Sequence, residues 1–400
     1  MATQKTFRLK STNKQTSICC NHDSLFLLVI WTQILNSWDG HHDKQLAADL
    51  SYSHPIPLEL RSTAWFIISG ARSLMKRHRN LYQSLMNRRP TKECVDDIQK
   101  DLRRTFCSKL MADRYSDSLG RILTAYSVYD PSCSYAQGMN YVAAFILRQY
   151  FENTPPALHP TDGGSKSTKS GSECADGVIS EHRTKVIEEQ CFWTFTAIMA
   201  RIGSLFHRDL GGFHKAVHCF QAILERHGPR EFVEHLESER VFTNPTILSL
   251  WFHSVFTHQS ILGALSHRIY DIFIIESNHE IPLLVLLKVA FLIFMRHRLE
   301  FMKMDLCESI QFCSSTQWMF VGGKEDHELI VQVAKLRVDP HCLGAIHDLK
   351  IDCRLRCRVK RVRSAESIGD DGEEKEEESA TEDPLQTLWT LFKMFVLIPK

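Results

Sequence analysis

The sequence has 400 residues, of which 44% are apolar and 24% are charged, and its formal net charge is +1. This composition is typical of a soluble globular protein, and the balanced charge gives no argument for binding nucleic acid or a membrane through the whole surface. The 13 cysteines are irregularly spaced and include no Cys-x-x-Cys pair, which argues against a disulfide framework and favours a reducing, intracellular setting.

The first part of the chain predicts a disordered start followed by helices. Residues 1–22 are polar and are predicted to be disordered. Apolar residues then recur at spacings of three and four, which is the pattern of an amphipathic helix. The predicted helices cover 23–40, 56–70, 71–89 and Glu93–Ala112.

The middle of the chain continues the helical pattern. Residues 154–184, rich in Gly, Ser, Pro and Lys, are predicted to form a disordered insertion. Almost no segment alternates with a period of two, so the predicted fold class is all-α. The apolar run Ile281–Met295 is too short to span a membrane and predicts a buried core helix. Helices are predicted over Ser118–Val128, Met139–Tyr150, Val186–Ile202, Lys215–His227, Arg230–Leu236, Pro245–Phe256, Ile261–Ile275 and Ile281–His297.

The last fifty residues change character twice. Residues 351–384 carry six cations over Arg354–Arg363 and a nearly continuous acidic run over Asp370–Asp383. Opposite runs this close together predict a disordered, self-compensating tail, with a basic patch for lipid head groups or RNA as the alternative. Residues 385–400 are strongly apolar and predict a helix that either docks on the domain or contacts a partner or a membrane.

The sequence offers no clear pattern for metal binding or free-standing catalysis. His214 and His218 lie four residues apart, and a second group of His and Cys residues lies between His341 and Cys357, but zinc ligands are usually paired more tightly. No Gly-x-Ser-x-Gly elbow and no catalytic cysteine signature occurs. We therefore predict no metal site and no catalytic activity of the chain on its own.

One predicted helix, over Asp96–Phe106, places a cation opposite an apolar stripe. At about 100° per residue, Arg104 points roughly away from the face that carries the apolar side chains. Asp101 lies one turn earlier and can pair with Arg104 at i,i+3. Taken alone, this stretch reads as a solvated helix face with an ordinary salt bridge. The apolar stripe consists of Val95, Ile98, Leu102 and Phe106.

A second segment changes that interpretation. Ile98-x-x-Asp101-x-x-Arg104-Thr105 is followed by Tyr135-x-Gln137-Gly138-Met139-Asn140. The pair resembles the signature of the TBC domain family, whose members are GTPase-activating proteins for Rab GTPases. Two departures from that family are Ser134 in place of a glycine and Tyr270 in place of a tryptophan. Further landmarks in the family's order within residues 52–300 are Ile56-Pro57, Leu60-Arg61, Trp65, Glu189–Trp193, Leu250–Phe256 and Arg268–Phe273.

The resemblance implies a fold and a site. The fold is a multi-helical TBC-like domain of two packed helical lobes over residues 23–350. The site consists of Arg104, which stabilises the transition-state charge in the partner's nucleotide site, and Gln137, which orients the attacking water. An arginine suits this role because it stays charged and its planar fork binds two phosphate oxygens.

The remaining residues of the two motifs are expected to support this pair. Asp101 would hold the guanidinium, and Gly138 would let another backbone approach closely. Arg103, one residue out of register, is expected to have a supporting or GTPase-contacting role. The other supporting or GTPase-binding residues are Ile98, Thr105, Tyr135, Met139 and Asn140.

The expected function follows from the resemblance. The partner is a GTP-bound Rab-type GTPase that brings its own GTP and Mg²⁺, so the chain needs no cofactor of its own and binds no nucleic acid. The setting is regulation of vesicle trafficking, with a cytoplasmic location or peripheral contact with endomembranes. The alternative is a catalytically silent helical scaffold or Rab effector, which binds the GTPase without stimulating hydrolysis.

Overall fold

The secondary structure of the chain was taken from a computed structural model. It describes residues 16–38, 41–153, 181–241, 244, 246–258, 263–276, 281–315 and 324–346. These residues form helices, turns and loops and contain no strand, which confirms the all-α prediction.

Nine helices precede residue 203 in the described part of the chain. They are α1 (Thr16–Asn36), α2 (His41–Ser53), α3 (Leu58–Ile68), α4 (Ala71–Arg77), α5 (Leu81–Met86), α6 (Lys92–Thr105), α7 (Lys109–Tyr129), α8 (Met139–Glu152) and α9 (Glu181–Ile202).

Eight more α-helices follow, together with 3₁₀ segments at Gly203–Phe206 and Pro340–Ile346. They are α10 (Gly211–His227), α11 (Arg230–Ser238), α12 (Thr246–His253), α13 (Ala264–Glu276), α14 (Leu284–Arg296), α15 (Arg298–Phe301), α16 (Leu306–Cys313) and α17 (Lys324–Lys335).

The helices pack as two groups that share one hydrophobic core. In the first group, α3 to α9 pack around α7, α8 and α9, and in the second, α10 to α12 pack with α14 to α17. Helix α13 contacts α2 and α3 on one side and α14 on the other, so it joins the groups. Burial of aromatic side chains dominates the energetics of such a core. The tryptophans Trp31, Trp65, Trp193 and Trp251 are all fully buried.

A buried polar cluster joins two of the sequence landmarks that lie far apart in the chain. The Nε1 of Trp65 on α3 donates to Oδ1 of Asp271 on α13 over 2.8 Å, and Arg61 forms an ion pair with the same carboxylate at 3.3 Å. Burial raises the pKa of Asp271, and the Arg61 cation opposes that shift. A buried charge is tolerated when it is paired and hydrogen-bonded, so this cluster fixes α3 against α13.

Two helices that the spacing predicts as continuous are broken in the structure. The predicted helix over 71–89 becomes α4 and α5, because Asn80 adopts a left-handed φ of 64° between them. The predicted helix Glu93–Ala112 ends at Thr105, where Phe106 becomes extended, and α7 restarts after Ser108. The Ser108 hydroxyl accepts from the Met111 N–H, which is a helix-capping contact that spacing of apolar residues does not reveal.

Two segments predicted to be disordered are partly helical, and one helix was not predicted. Helix α1 begins at Thr16, so residues 16–22 are helical rather than disordered, and α9 begins at Glu181, inside the predicted insertion. Helix α2 was not predicted, because its first turns are polar and carry no strong apolar period. The predictions for residues 1–15, for most of the insertion and for residues 351–400 concern residues outside the described ranges.

Within the described ranges, no helix combines the length and the apolar character needed to cross a lipid bilayer. The apolar run at 281–295 instead forms α14, most of whose side chains are buried against neighbouring helices.

Candidate functional site

Helix α6 is held by a stripe that differs slightly from the predicted one. Ile98 and Leu102 are buried as predicted, but Val95 is exposed and Cys94 takes its place against the core. Thr91 caps the helix by accepting from the Cys94 N–H over 3.4 Å. Cations in the last turn of a helix interact favourably with its dipole, and both Arg103 and Arg104 lie in the last turn of α6.

Arg104 is fixed by Asp101. Its Nε donates to Oδ1 of Asp101 over 2.7 Å, and one terminal nitrogen donates to the same oxygen. The Asp101 side chain is 5% exposed and that of Arg104 is 33% exposed. The guanidinium is therefore held at the protein surface by the i,i+3 pair with Asp101 that the sequence predicts, with about a third of its side chain exposed.

Tyr135 approaches the same carboxylate from the loop between α7 and α8. Its hydroxyl donates to Oδ2 of Asp101 over 2.6 Å. Burial raises the pKa of Tyr135 well above its ordinary value, and the Asp101 charge adds to that shift, so the phenol stays protonated and remains a donor. One carboxylate thus binds a residue from each of the two sequence motifs.

Asn140 makes a second link between the motifs. Its Oδ1 accepts from the Gly138 N–H at 3.0 Å, and its Nδ2 donates to the Thr105 hydroxyl at 2.9 Å. The Thr105 hydroxyl in turn donates to the Asp101 backbone carbonyl at 2.6 Å. The sequence predicts supporting roles for Asn140 and Thr105 without naming their contacts, and the structure supplies those contacts. The end of α6 and the start of α8 are therefore joined by a chain of satisfied buried polar groups.

Gly138 occupies a position that only glycine tolerates well. Its φ is +103°, and a Cβ added there would lie 2.9 Å from the carbonyl oxygen of His253 at the end of α12. The close backbone approach that the sequence suggested for Gly138 is thus made by this chain's own His253. Met139, the next residue, is fully buried and its sulfur accepts from the Ala136 N–H.

Gln137 lies in the loop that precedes α8, directly before Gly138. Its neighbours Ala136 and Gly138 are buried, and its own side chain is partly buried. The Nε2 of Gln137 is shielded from solvent and makes no hydrogen bond to any described residue. A buried donor without a partner costs about 1–3 kcal/mol, so the Gln137 amide would gain from a partner that accepts a hydrogen bond.

Arg103 differs from Arg104 in its surroundings. It is exposed and forms no ion pair with the described residues, whereas its neighbour is held by a buried carboxylate. Ile98 is buried in the core, so it contributes to the site only by packing α6 against the domain.

Two aromatic residues beside Arg104 were not identified from the sequence. Tyr141 and His258 pack edge to face with ring centroids 4.2 Å apart. Burial, with a smaller contribution from the nearby Arg104 charge, lowers the pKa of His258 to about 3, so His258 is neutral. Burial raises the pKa of Tyr141 to about 12, an effect that the Arg104 charge opposes. His258 lies far along the chain from α6, so no local sequence signal places it at the site.

Ser134, which stands where the family has a glycine, adopts a backbone conformation that favours glycine. It adopts φ of +52°, and its N–H donates to the Asp130 carbonyl over 2.7 Å. A residue with a Cβ is strained in this left-handed region, which favours glycine.

The described residues contain no group of three His, Cys, Asp or Glu side chains placed to share a metal ion. His347, Cys353 and Cys357, part of the group noted in the sequence, lie outside the described ranges.

Comparison with known proteins gives matches of one kind. The sequence profile of the Rab-GTPase-TBC domain matches residues 58–302. GTPase-activating protein GYP5 of Saccharomyces cerevisiae is 24% identical over 311 residues, which are 76% of this chain and 29% of that protein. Rab GTPase-activating protein tbc-11 of Caenorhabditis elegans is 26% identical over 239 residues, 58% of this chain and 21% of that protein. The chain thus spans less than a third of the length of these relatives.

Solved structures show the same fold at low identity. The Ypt/Rab-GAP domain of Gyp1p superposes with a TM-score of 0.59 at 16% identity, over 77% of this chain and 98% of that one. The Chlamydomonas flagellar RabGAP TBC domain gives a TM-score of 0.54 at 16% identity, over 83% of this chain and 98% of the other. Both are crystal structures, and both support the all-α architecture described above.

Proposed function

The chain belongs to the Rab-GTPase-TBC domain family, and from this premise we propose that it accelerates GTP hydrolysis by a Rab-type small GTPase. Arg104 and Gln137 would both act in trans, in the nucleotide site of the partner. The observation that carries the proposal is the Asp101 carboxylate, which accepts from Arg104 through one oxygen and from Tyr135 through the other.

The held guanidinium supports the role of Arg104. Transfer of the γ-phosphoryl group to water develops charge on its oxygens, and an arginine supplied by an activating protein contributes about 10³- to 10⁵-fold to the rate. Binding costs less when a long side chain is already oriented. Asp101 orients Arg104 while leaving about a third of its side chain exposed to a partner.

The unpartnered amide supports the role of Gln137. An amide has both an acceptor and a donor, so it can accept from the attacking water while it donates to a phosphate oxygen. In this structure the Nε2 of Gln137 is shielded from solvent and has no partner among the described residues, so the side chain would turn outward to donate to a partner's phosphate. The Gly138–His253 contact and the Asn140 link would hold the backbone of this loop in place while that exchange occurs.

The nucleotide and its metal would come with the partner. In this proposal GTP and Mg²⁺ are bound by the GTPase, and the chain supplies no cofactor. The GTP-bound state is the one that binds productively, and control of vesicle trafficking on endomembranes is the cellular setting. Family membership supports these points.

A turnover screen tests the proposal. Purified Rab GTPases loaded with GTP are each mixed with the chain, and phosphate release is followed at catalytic concentrations of the chain. We expect hydrolysis by at least one Rab to accelerate by a factor of about 10³ or more, which is the lower end of the range for arginine supplied in trans. Tight binding to a GTP-bound Rab with unchanged hydrolysis across the panel would instead favour the silent scaffold.

A further inference from the structure

Strongly basic positions occur on α4, in the turns on either side of α5 and at the first residue of α6. No aspartate or glutamate occurs between Glu59 and Glu93. The cations of this stretch include six whose side chains are exposed or half-buried and form no ion pair with the described residues. These six, which we call the basic surface, are Arg72, Lys76, Arg77, Arg79, Arg89 and Lys92.

The packing of α4 and α5 turns these cations outward. The ring of His78 stacks on Trp193 of α9 with centroids 5.7 Å apart, and that of Tyr82 lies 4.9 Å from Phe192 of the same helix. Leu85 is fully buried on the same side. The apolar side of the α4–α5 pair is therefore fixed against the domain, and the charged side chains are left on its outer face.

The helix dipole accounts for only part of this charge. Lys76 and Arg77 lie in the last turn of α4, where cations are favourable. Arg79 and Arg89 lie beyond α4 and α5, and Lys92 opens α6, where a cation opposes the dipole. Six cations within 21 residues, with no acidic residue between Glu59 and Glu93 to pair with, repel each other, so an anionic partner would stabilise this part of the surface.

The same chain contains a segment of matching charge. Glu366–Asp383 has ten acidic side chains and a single lysine. It begins 20 residues beyond Ile346, the last described residue. A chain of that length can extend to about 70 Å, at roughly 3.3–3.6 Å per residue. A domain of about 300 residues is about 50 Å across, so the path around it to the far side is roughly 80 Å, and the segment can reach most of the surface.

Acidic residues remain available to bind the basic surface even if the basic run Arg354–Arg363 pairs with some of them. Over 351–384, acidic side chains outnumber basic ones by four. A tethered segment also acts at an effective concentration in the millimolar range, on the order of that given by short flexible linkers. A membrane of anionic lipids would have to compete with that tethered segment for the same cations.

We propose that the basic surface binds the acidic segment Glu366–Asp383 of the same chain. The contact is electrostatic and intramolecular, and it weakens as salt shortens the screening length from about 10 Å at 0.1 M to about 3 Å at 1 M. It does not depend on the GTPase-activating role proposed above.

Zero-length cross-linking tests the contact in the full chain. A carbodiimide joins an amine to a carboxylate only when the two touch, and mass spectrometry identifies the linked peptides. We expect Lys76 and Lys92 to link to Glu366–Asp383 at 50 mM salt, at least tenfold more than the exposed controls Lys215 and Lys303. The preference should disappear at 1 M salt. Equal yields at all four lysines would overturn the proposal.

Two further outcomes of that experiment would also overturn it. Links from the acidic segment mainly to Lys360 would show that the tail pairs with its own basic run. Links between isotopically light and heavy chains, mixed before the reaction, would show that the contact joins two copies rather than one. Links confined to chains of the same isotope at Lys76 and Lys92 support the proposal.

Retention on heparin provides a second test that leaves the folded core unchanged. Replacing Glu376, Glu377 and Glu378 by Gln weakens the acidic segment and should free the basic surface, so the variant should elute at higher salt. The matched control replaces the exposed residues Glu225, Glu237 and Glu328 by Gln, which changes the net charge equally. An equal shift for both variants would contradict the proposal.

Vesicles distinguish the tail from a membrane as the partner. Vesicles of phosphatidylserine and phosphatidylcholine are sedimented with the unchanged chain and with the variant in which Gln replaces Glu376, Glu377 and Glu378. We expect the variant to bind at least several-fold more tightly, and Arg77→Gln with Arg79→Gln to remove that gain. Equal binding by both proteins, lost on changing Arg77 and Arg79, would assign the basic surface to the membrane instead.

Discussion

The hydroxyl of Tyr135 lies 2.6 Å from Oδ2 of Asp101, although 34 residues separate the two in the chain. Because Oδ1 of the same carboxylate accepts from Arg104, this bond ties the position of the guanidinium to the loop that carries Gln137. Two motifs that look independent in the sequence therefore form one mechanical unit.

Tyr135→Phe should uncouple the two motifs without creating a cavity, because it removes only the hydroxyl that binds Asp101. The lost bond is to a charged group, and such bonds contribute about 1.5–3 kcal/mol, so we expect the stimulated kcat/KM to fall about 10- to 100-fold. Tyr150→Phe is the matched control, since it removes a buried hydroxyl bond to Thr194 away from the site. A rate measurement with a responsive Rab would show a loss for the first variant alone. Equal losses for both would mean that Tyr135 contributes only to folding.

Gly138→Ala should damage the loop more than its small size suggests. The added Cβ would meet the His253 carbonyl oxygen at 2.9 Å and would strain a φ of +103°. Backbone strain and overpacking each cost about 1–3 kcal/mol, so the free energy of unfolding should fall by about 2–4 kcal/mol. Gly203→Ala is the control, because nothing lies within 4 Å of a Cβ there. Urea denaturation measures both, and an equal effect would refute the assigned contact.

Ser134→Gly should stabilise the protein. Its φ of +52° costs a residue with a Cβ about 1–2 kcal/mol, which outweighs the extra entropy that glycine loses on folding, so we expect a net gain of about 0.5–1 kcal/mol. Ser73→Gly, inside α4, should do the opposite by a similar amount. Thermal or urea unfolding compares the two. A loss of stability for both would show that Ser134 carries a contact beyond those described.

The unfolding free energy should fall in mildly acidic solution. Burial lowers the folded-state pKa of His258 to about 3 and of His267 to about 4, below the ordinary value of about 6.5. The unfolded chain therefore binds more protons, so the stability that these residues contribute is complete above pH 6.5 and is lost as the pH falls towards 4. Each residue contributes about 1.4 kcal/mol per pH unit in that window.

His267→Gln isolates this effect. Urea denaturation at pH 7, 6 and 5 should give a slope that is smaller by about 1 kcal/mol per pH unit in the variant than in the unchanged chain. His207→Gln changes an exposed histidine and should leave the slope as it was. An unaltered slope in His267→Gln would show that this histidine does not stay neutral in the folded protein.

Much of the fold and part of the site follow from local sequence. The buried residues Ile98 and Leu102 repeat at helical spacing, and Asp101 and Arg104 are separated by one turn, so a helical wheel is enough to pair them. The same wheel fails at Phe106, because apolar spacing continues across the break while the Ser108 cap restarts the chain as α7.

The remainder depends on contacts between distant segments. His253 is brought against Gly138, and His258 against Tyr141, by the packing of the two helix groups. A histidine far along the chain carries no local mark that distinguishes it from the others, so its role becomes visible only in three dimensions.

Hydrolysis of GTP by a responsive Rab, measured as kcat/KM with defined variants of the chain, tests the central claim most directly. We predict that Arg104→Ala lowers the stimulated rate by about 10³-fold or more and that Gln137→Ala lowers it at least tenfold. Arg230→Ala and Gln221→Ala, on exposed or partly exposed positions of other helices, should retain the full rate. Full stimulation by Arg104→Ala would contradict the account.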